Sequence, residues 1–161
     1  VPIDYYGLSK NIISKIVIQE SKINLRIFGC FYYNELKTRF ISGGINNYIY
    51  KKPITIHQDK YMDFFYMEDL IEVIKYFLSS TTLINKDVNL SYLKKYKLSD
   101  IANLINNLST HKVNIITENT NQGLNYTGNG ELLNSLNIKF KGIDIGIKEC
   151  YDECYDKIYE Y

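Results

Sequence analysis

Tyr6 and Lys10 stand four residues apart near the start of the chain, in the run Asp4-Tyr5-Tyr6-Gly7-Leu8-Ser9-Lys10. On a helix this spacing puts both side chains on one face. An ammonium beside a phenol favours the phenolate, which suits such a pair to moving a proton near neutral pH. Tyr33 with Lys37 and Tyr48 with Lys52 repeat the spacing in a chain of 16 tyrosines. The interval therefore singles out nothing by itself, and the neighbouring sequence has to decide.

The other reactive side chains form no ligand or triad pattern. Cys150 and Cys154 lie one helical turn apart, without the two-residue spacing and second ligand pair of common zinc sites. With Cys30 they read as apolar structural thiols, and no metal is expected. His57 and His111 receive no chemical role. A formal net charge of +1 over 161 residues gives no long-range field to recruit nucleic acid. No apolar run approaches the roughly 20 residues needed to cross a bilayer. The N-terminus has no basic segment leading into a hydrophobic one, so a cytoplasmic location is expected.

The elements that must position these residues follow from periodicity. Ile12, Ile13, Ile16 and Val17 predict a helix over 5–21 with one buried face carrying Tyr6 and Lys10 on its first turns. Residues 24–28 read as a strand ended by Gly29. In open α/β sheets the loops beyond the carboxyl ends of strands form the ligand crevice, which places 30–35 near a ligand. Residues 36–47 read as a helix, kinked or ended early by Gly43-Gly44. Ile54–Ile56 predicts a strand, and 69–79 a helix with Glu68 and Asp69 set against its positive end. Strands at 88–90 and 112–117 and helices at 98–108 and 131–136 follow. The last helix turns Cys150 and Cys154 to the core. Helices alternating with short strands make the class α/β or α+β.

Four local signatures stand in one order: Tyr6-Gly7-Leu8-Ser9-Lys10, Leu25-Arg26-Ile27-Phe28-Gly29, Asp63-Phe64-Phe65-Tyr66-Met67-Glu68-Asp69-Leu70, and Tyr126-Thr127-Gly128 through Gly146-Ile147-Lys148. Together they resemble the C-terminal half of an extended short-chain dehydrogenase/reductase, the NAD-dependent epimerase/dehydratase family. The resemblance runs from about residue 2 to 155. It implies an α/β fold, the C-terminal part of a Rossmann-type enzyme with its small α+β substrate-binding lobe. Residues 1–35 would hold the active-site helix and a late strand of the cofactor sheet, and 36–161 mainly the substrate lobe, all in a single domain.

By the same resemblance Tyr6 would be the catalytic acid/base for hydride transfer at a sugar carbon, and Lys10 would bind the nicotinamide ribose. Phe28, Gly29 and Cys30 would join them in bordering NAD or NADP. Glu35, Arg39 and Met62 would border a nucleotide-sugar substrate, with Arg39 suited to a diphosphate by its planar fork. Two positions depart from the pattern. Gly29 stands where many members carry asparagine, and Met62 where several carry an arginine that holds the diphosphate. Asp63 and Asp69 read as structural hydrogen-bonding or capping residues.

The family's glycine-rich cofactor turn does not occur. Gly128-Asn129-Gly130 has Leu133 where the third glycine would fall. The serine or threonine partner of the tyrosine would also precede Val1. The expectation is therefore an enzyme half that needs a preceding cofactor segment or a companion chain and is inactive alone. Its uncovered apolar faces would favour association, a homodimer included. The alternative is a noncatalytic remnant that binds a nucleotide sugar or a partner.

Overall fold

The computed structural model describes residues 4–19, 23–80 and 87–159. In chain order the elements are α1 (Tyr5–Gln19), β1 (Asn24–Ile27), β2 (Cys30–Phe31), α2 (Phe40–Ile49), β3 (Ile54–Gln58), β4 (Phe65–Tyr66), α3 (Met67–Ser79), β5 (Asp87–Leu90), α4 (Leu98–Asn106), β6 (Ile115–Asn119), α5 (Glu131–Ser135) and α6 (Gly142–Tyr159). Among the described residues the strands pair in parallel. β1 pairs with β5, β2 with β4, and β3 with β6. Parallel neighbours require crossovers, which is why helices separate the strands.

Two apolar clusters hold the lobe together. One packs Phe31, Ile41, Ile45, Ile54, Ile101 and Ile147 between α2, α4, α6 and the β3–β6 pair. The other gathers Phe65, Val73, Val88, Leu90 and Leu133 beneath α3 and α5. Cys150 joins the first cluster, and burial, followed by the neighbouring Cys154, pushes its thiol up to about 12.

Three expectations are corrected. Gly43-Gly44 does not end its helix, which runs through both residues to Ile49 and starts later than predicted, at Phe40. Residues 33–39 instead fold back as turns, and a Cβ on Gly43 would sit 2.5 Å from the Lys37 carbonyl oxygen. Gly44 lets α2 approach α4, where a Cβ would lie 3.0 Å from Ile105 Cδ1. The last predicted strand begins at Ile115, not Lys112, because the Val113 N–H is spent on Asn106 Oδ1 at 2.8 Å.

The third correction concerns α1. Its expected buried face is open: Ile12, Ile13 and Ile16 are each about half exposed. The helix is held to β1 by few contacts, among them the Asn24 side-chain amide donating to Ser14 Oγ at 2.8 Å. The second edge of β1 has no strand partner among the described residues. The predicted helix end at Ser21 lies outside them.

Candidate functional site

The carboxyl end of β1, the start of β2 and the length of β3 border an open cleft of about 830 Å³, whose lining includes Phe28, Gly29, Cys30, Glu35, Arg39 and Met62. These are the residues expected to border cofactor and substrate, and the parallel topology brings them together from three separate loops. Tyr6 and Lys10 are not among the lining residues. They lie on the open helix α1, with Tyr6 73% exposed and Lys10 Nζ 5.5 Å from the centroid of its ring, a cation–π placement.

Gly29 sits in a tight crossing. Its carbonyl accepts the Phe65 N–H at 2.8 Å, and a Cβ there would lie 3.0 Å from the Asp63 carbonyl oxygen and 3.2 Å from Phe64 Cδ1. The crossing from β1 to β2 runs so close to the approach to β4 that a side chain would push its neighbours back by a few tenths of an ångström. An asparagine at this position would not fit without a shift. Phe28 packs edge-to-face on Tyr126, with ring centroids 5.3 Å apart.

The cleft lining mixes one carboxylate, Glu35, with the basic side chains of Lys37, Arg39, His57 and Lys60. Burial pushes the Glu35 carboxyl up, while the charges of Arg39 and Lys37 pull it the other way. Arg39 Nε lies 4.0 Å from Glu35 Oε1. The half-buried Cys30 thiol is also raised, by burial and then by Glu35. Lys37, Thr38, His57 and Lys60 are among the further polar residues of the lining, and sequence reasoning gave none of them a role at the site. For Lys60 a signal existed, namely a cation just beyond the carboxyl end of a predicted strand.

Asp63 and Asp69 bind the lobe together. The buried Asp63 carboxylate accepts from Ser91 Oγ at 2.6 Å, the Gly128 N–H at 2.7 Å and Lys95 Nζ at 3.0 Å. The buried Asp69 accepts from the Lys141 and Gly142 N–H groups at 2.8 and 2.9 Å, and from the Tyr92 hydroxyl. Both play the structural part that the sequence assigned them. The glycine pair at 128 and 130 leaves no phosphate cradle. A Cβ at Gly128 would lie 2.4 Å from the Phe28 ring, and one at Gly130 2.1 Å from the Ser91 carbonyl oxygen.

No protein-family model matches the sequence, and comparison with curated proteins gave no match. Solved structures do match. UDP-glucuronic acid 4-epimerase from Bacillus cereus, in complex with UDP-glucuronic acid and NAD, superposes with a TM-score of 0.77 at 18% identity, over 99% of this chain and 55% of that one. UDP-glucose 4-epimerase with UDP-glucose from the hyperthermophile Thermotoga maritima gives 0.80 at 12% identity, over 100% of this chain and 56% of that one. An NAD-dependent NDP-hexosamine 5,6-dehydratase of tunicamycin biosynthesis gives 0.72 at 13% identity, over 94% and 54%. The fold is that of the C-terminal part of these Rossmann-type enzymes, and the chain spans little more than half their length.

Proposed function

We propose that this chain is the substrate-binding part of an NAD(P)-dependent enzyme that epimerises, dehydrates or reduces a nucleotide sugar. The observation that carries the reading is one cleft at the carboxyl ends of β1 and β3, where Phe28, Gly29, Cys30, Glu35, Arg39 and Met62 converge with the basic side chains of Lys37, His57 and Lys60. In open α/β sheets this is where ligands bind. The likeness in fold to epimerases and a dehydratase supports the same reading.

In this reading residues 1–35 belong with a cofactor sheet and 36–161 form the substrate lobe. The open face of α1 and the free edge of β1 are covered by a cofactor half, carried on the same polypeptide or on a companion chain. This chain fits a dinucleotide only at its nicotinamide end, which Phe28, Gly29 and Cys30 would border. When bound, the cofactor supplies a hydride acceptor and donor. Tyr6 moves the proton at the sugar hydroxyl, Lys10 holds the ribose and keeps a positive charge beside the phenol, and Arg39 and Glu35 orient the substrate.

A second reading, a noncatalytic nucleotide-sugar binder, is favoured by one observation: Tyr6 and Lys10 lie outside the cleft lining. Tyr6→Phe in the full natural protein separates the two. Loss of acid/base catalysis should lower turnover of a UDP-sugar about 10²–10⁴-fold with UDP affinity unchanged. Turnover equal to that of the unsubstituted protein would remove Tyr6 from catalysis. UDP-sugar binding with no turnover in either protein would favour the noncatalytic reading.

A further inference from the structure

Among the described residues four side chains with a basic nitrogen line the cleft, those of Lys37, Arg39, His57 and Lys60, and three of them are engaged. Arg39 faces Glu35 at 4.0 Å. Lys37 Nζ turns toward the Tyr33 carbonyl oxygen at 3.4 Å and Cys154 Sγ at 3.7 Å. His57 Nδ1 lies 2.8 Å from Glu118 Oε2. Lys60 Nζ makes no hydrogen bond or ion pair among the described residues.

The backbone around Lys60 is fixed on both sides. Asp59 accepts the Ser99 N–H at 3.0 Å and its hydroxyl at 2.8 Å, and the Lys60 carbonyl accepts the Leu98 N–H at 3.0 Å, so the loop is bolted to the start of α4. On the other side the Gly123 N–H donates to the Asp59 carbonyl at 2.9 Å, and the Tyr126 N–H to the Tyr61 carbonyl at 2.9 Å. The aliphatic stem lies along buried Gly123, where an added Cβ would come within 3.2 Å of Lys60 Cδ. A lysine stem covers apolar surface while its head stays available. The result is a half-buried lysine whose stem rests on Gly123 and whose ammonium has no anionic partner among the described residues, in a cleft whose carboxylate, Glu35, faces Arg39.

Building on the proposed function, we propose that Lys60 is the residue that holds the phosphate of the nucleotide sugar. Lysine meets phosphate as a point charge, and here ordering the stem costs little because Gly123 and the two flanking attachments already order it. Arg39, with Nε 4.0 Å from Glu35 Oε1, lines the same cleft.

The test is titration calorimetry of the full natural protein with UDP and with uridine at two salt concentrations. Lys60→Gln removes the charge and leaves a neutral polar head on a stem two methylenes shorter. UDP affinity should fall by about tenfold or more, the equivalent of one charge-assisted hydrogen bond, with a weaker salt dependence and no change for uridine. Lys60→Arg should restore binding to within about threefold. If Lys60→Gln binds UDP as the unsubstituted protein does, the role of Lys60 is overturned and the nucleotide-sugar reading stands. If the unsubstituted protein does not bind UDP, both fall together.

Discussion

Ile13 on α1 and Ile101 on α4 occupy the same kind of position, an apolar residue on the apolar face of an amphipathic helix beside a parallel strand. Ile101 is fully buried and Ile13 is 53% exposed. α4 is covered by α2, α6 and the β3–β6 pair, whereas α1 meets β1 and little else. Periodicity therefore marks which face of a helix needs a partner without saying whether that partner lies in the same stretch of chain. The strands from β1 onward and helices α2 to α6 close a core of their own, and α1 leaves its apolar face open.

The largest expected effect tests that contrast directly. Phe31→Ala removes a ring from the sealed cluster and should cost about 3–5 kcal/mol, and Ile101→Ala about 2–5 kcal/mol, by urea unfolding. Ile13→Ala in the 161-residue chain should cost below about 1 kcal/mol, because the residue is already half in water. In the full natural protein the same substitution should rise to the range of Ile101→Ala if a cofactor half covers α1. Equal costs in both settings would break the contrast.

A smaller difference separates two carboxylates that bind backbone N–H groups at helix starts. Asp69 serves the start of α6 from within the core and also receives the Tyr92 hydroxyl. Asp4 accepts the Gly7 N–H at 2.6 Å in full exposure at the start of α1. Asp69→Ala strands buried donors and should cost on the order of 3 kcal/mol. Asp4→Ala, where water replaces the cap, should cost about 0.5–1 kcal/mol. Equal losses in denaturation midpoint would mean that α1 is as firmly packed as the lobe.

The same contrast explains what could be read in advance. Helices α3, α4 and α6 show long apolar periods and emerged where expected, because the lobe supplies their partners. Glu35, Arg39, Met62 and the Gly29 loop were legible through their order along the chain, and parallel pairing then placed them in one cleft. Gly43-Gly44 misled because local conformational preference favours a break, while tertiary contact with Lys37 and Ile105 demands closeness. Lys60 carried only its place after a predicted strand as a signal, which singles out little in a chain rich in lysine. Its distinction, an ammonium left unpaired while its neighbours are engaged, exists only in three dimensions.

The smallest effect concerns the ion cluster that ties α6 to α3. Lys141 Nζ lies 2.6 Å from Glu68 Oε2 and 2.8 Å from Glu149 Oε1, and the Tyr66 hydroxyl donates to Glu149 Oε2 at 2.8 Å. Burial pushes the Glu149 carboxyl up, but the Lys141 and Tyr66 hydrogen bonds outweigh it and hold the group below the usual carboxylate range. A depressed folded value means that the stabilisation is present above the unfolded value, near about 4.3, and is lost as pH falls through the folded one. Lys141→Met should therefore lower Tm slightly at pH 7, where solvent screening keeps exposed pairs weak. The difference from the unsubstituted chain should close as pH drops below that range, and it should shrink in high salt. Lys10→Met on α1, whose recorded contact is the exposed Tyr6 ring, should leave Tm unchanged across the same pH series. A Lys141→Met deficit that stays constant with pH would assign the effect to the lysine stem packed over the Tyr66 ring, 5.9 Å from Nζ to centroid. The contrast between lobe and N-terminal segment would then be one of packing alone, with no electrostatic part.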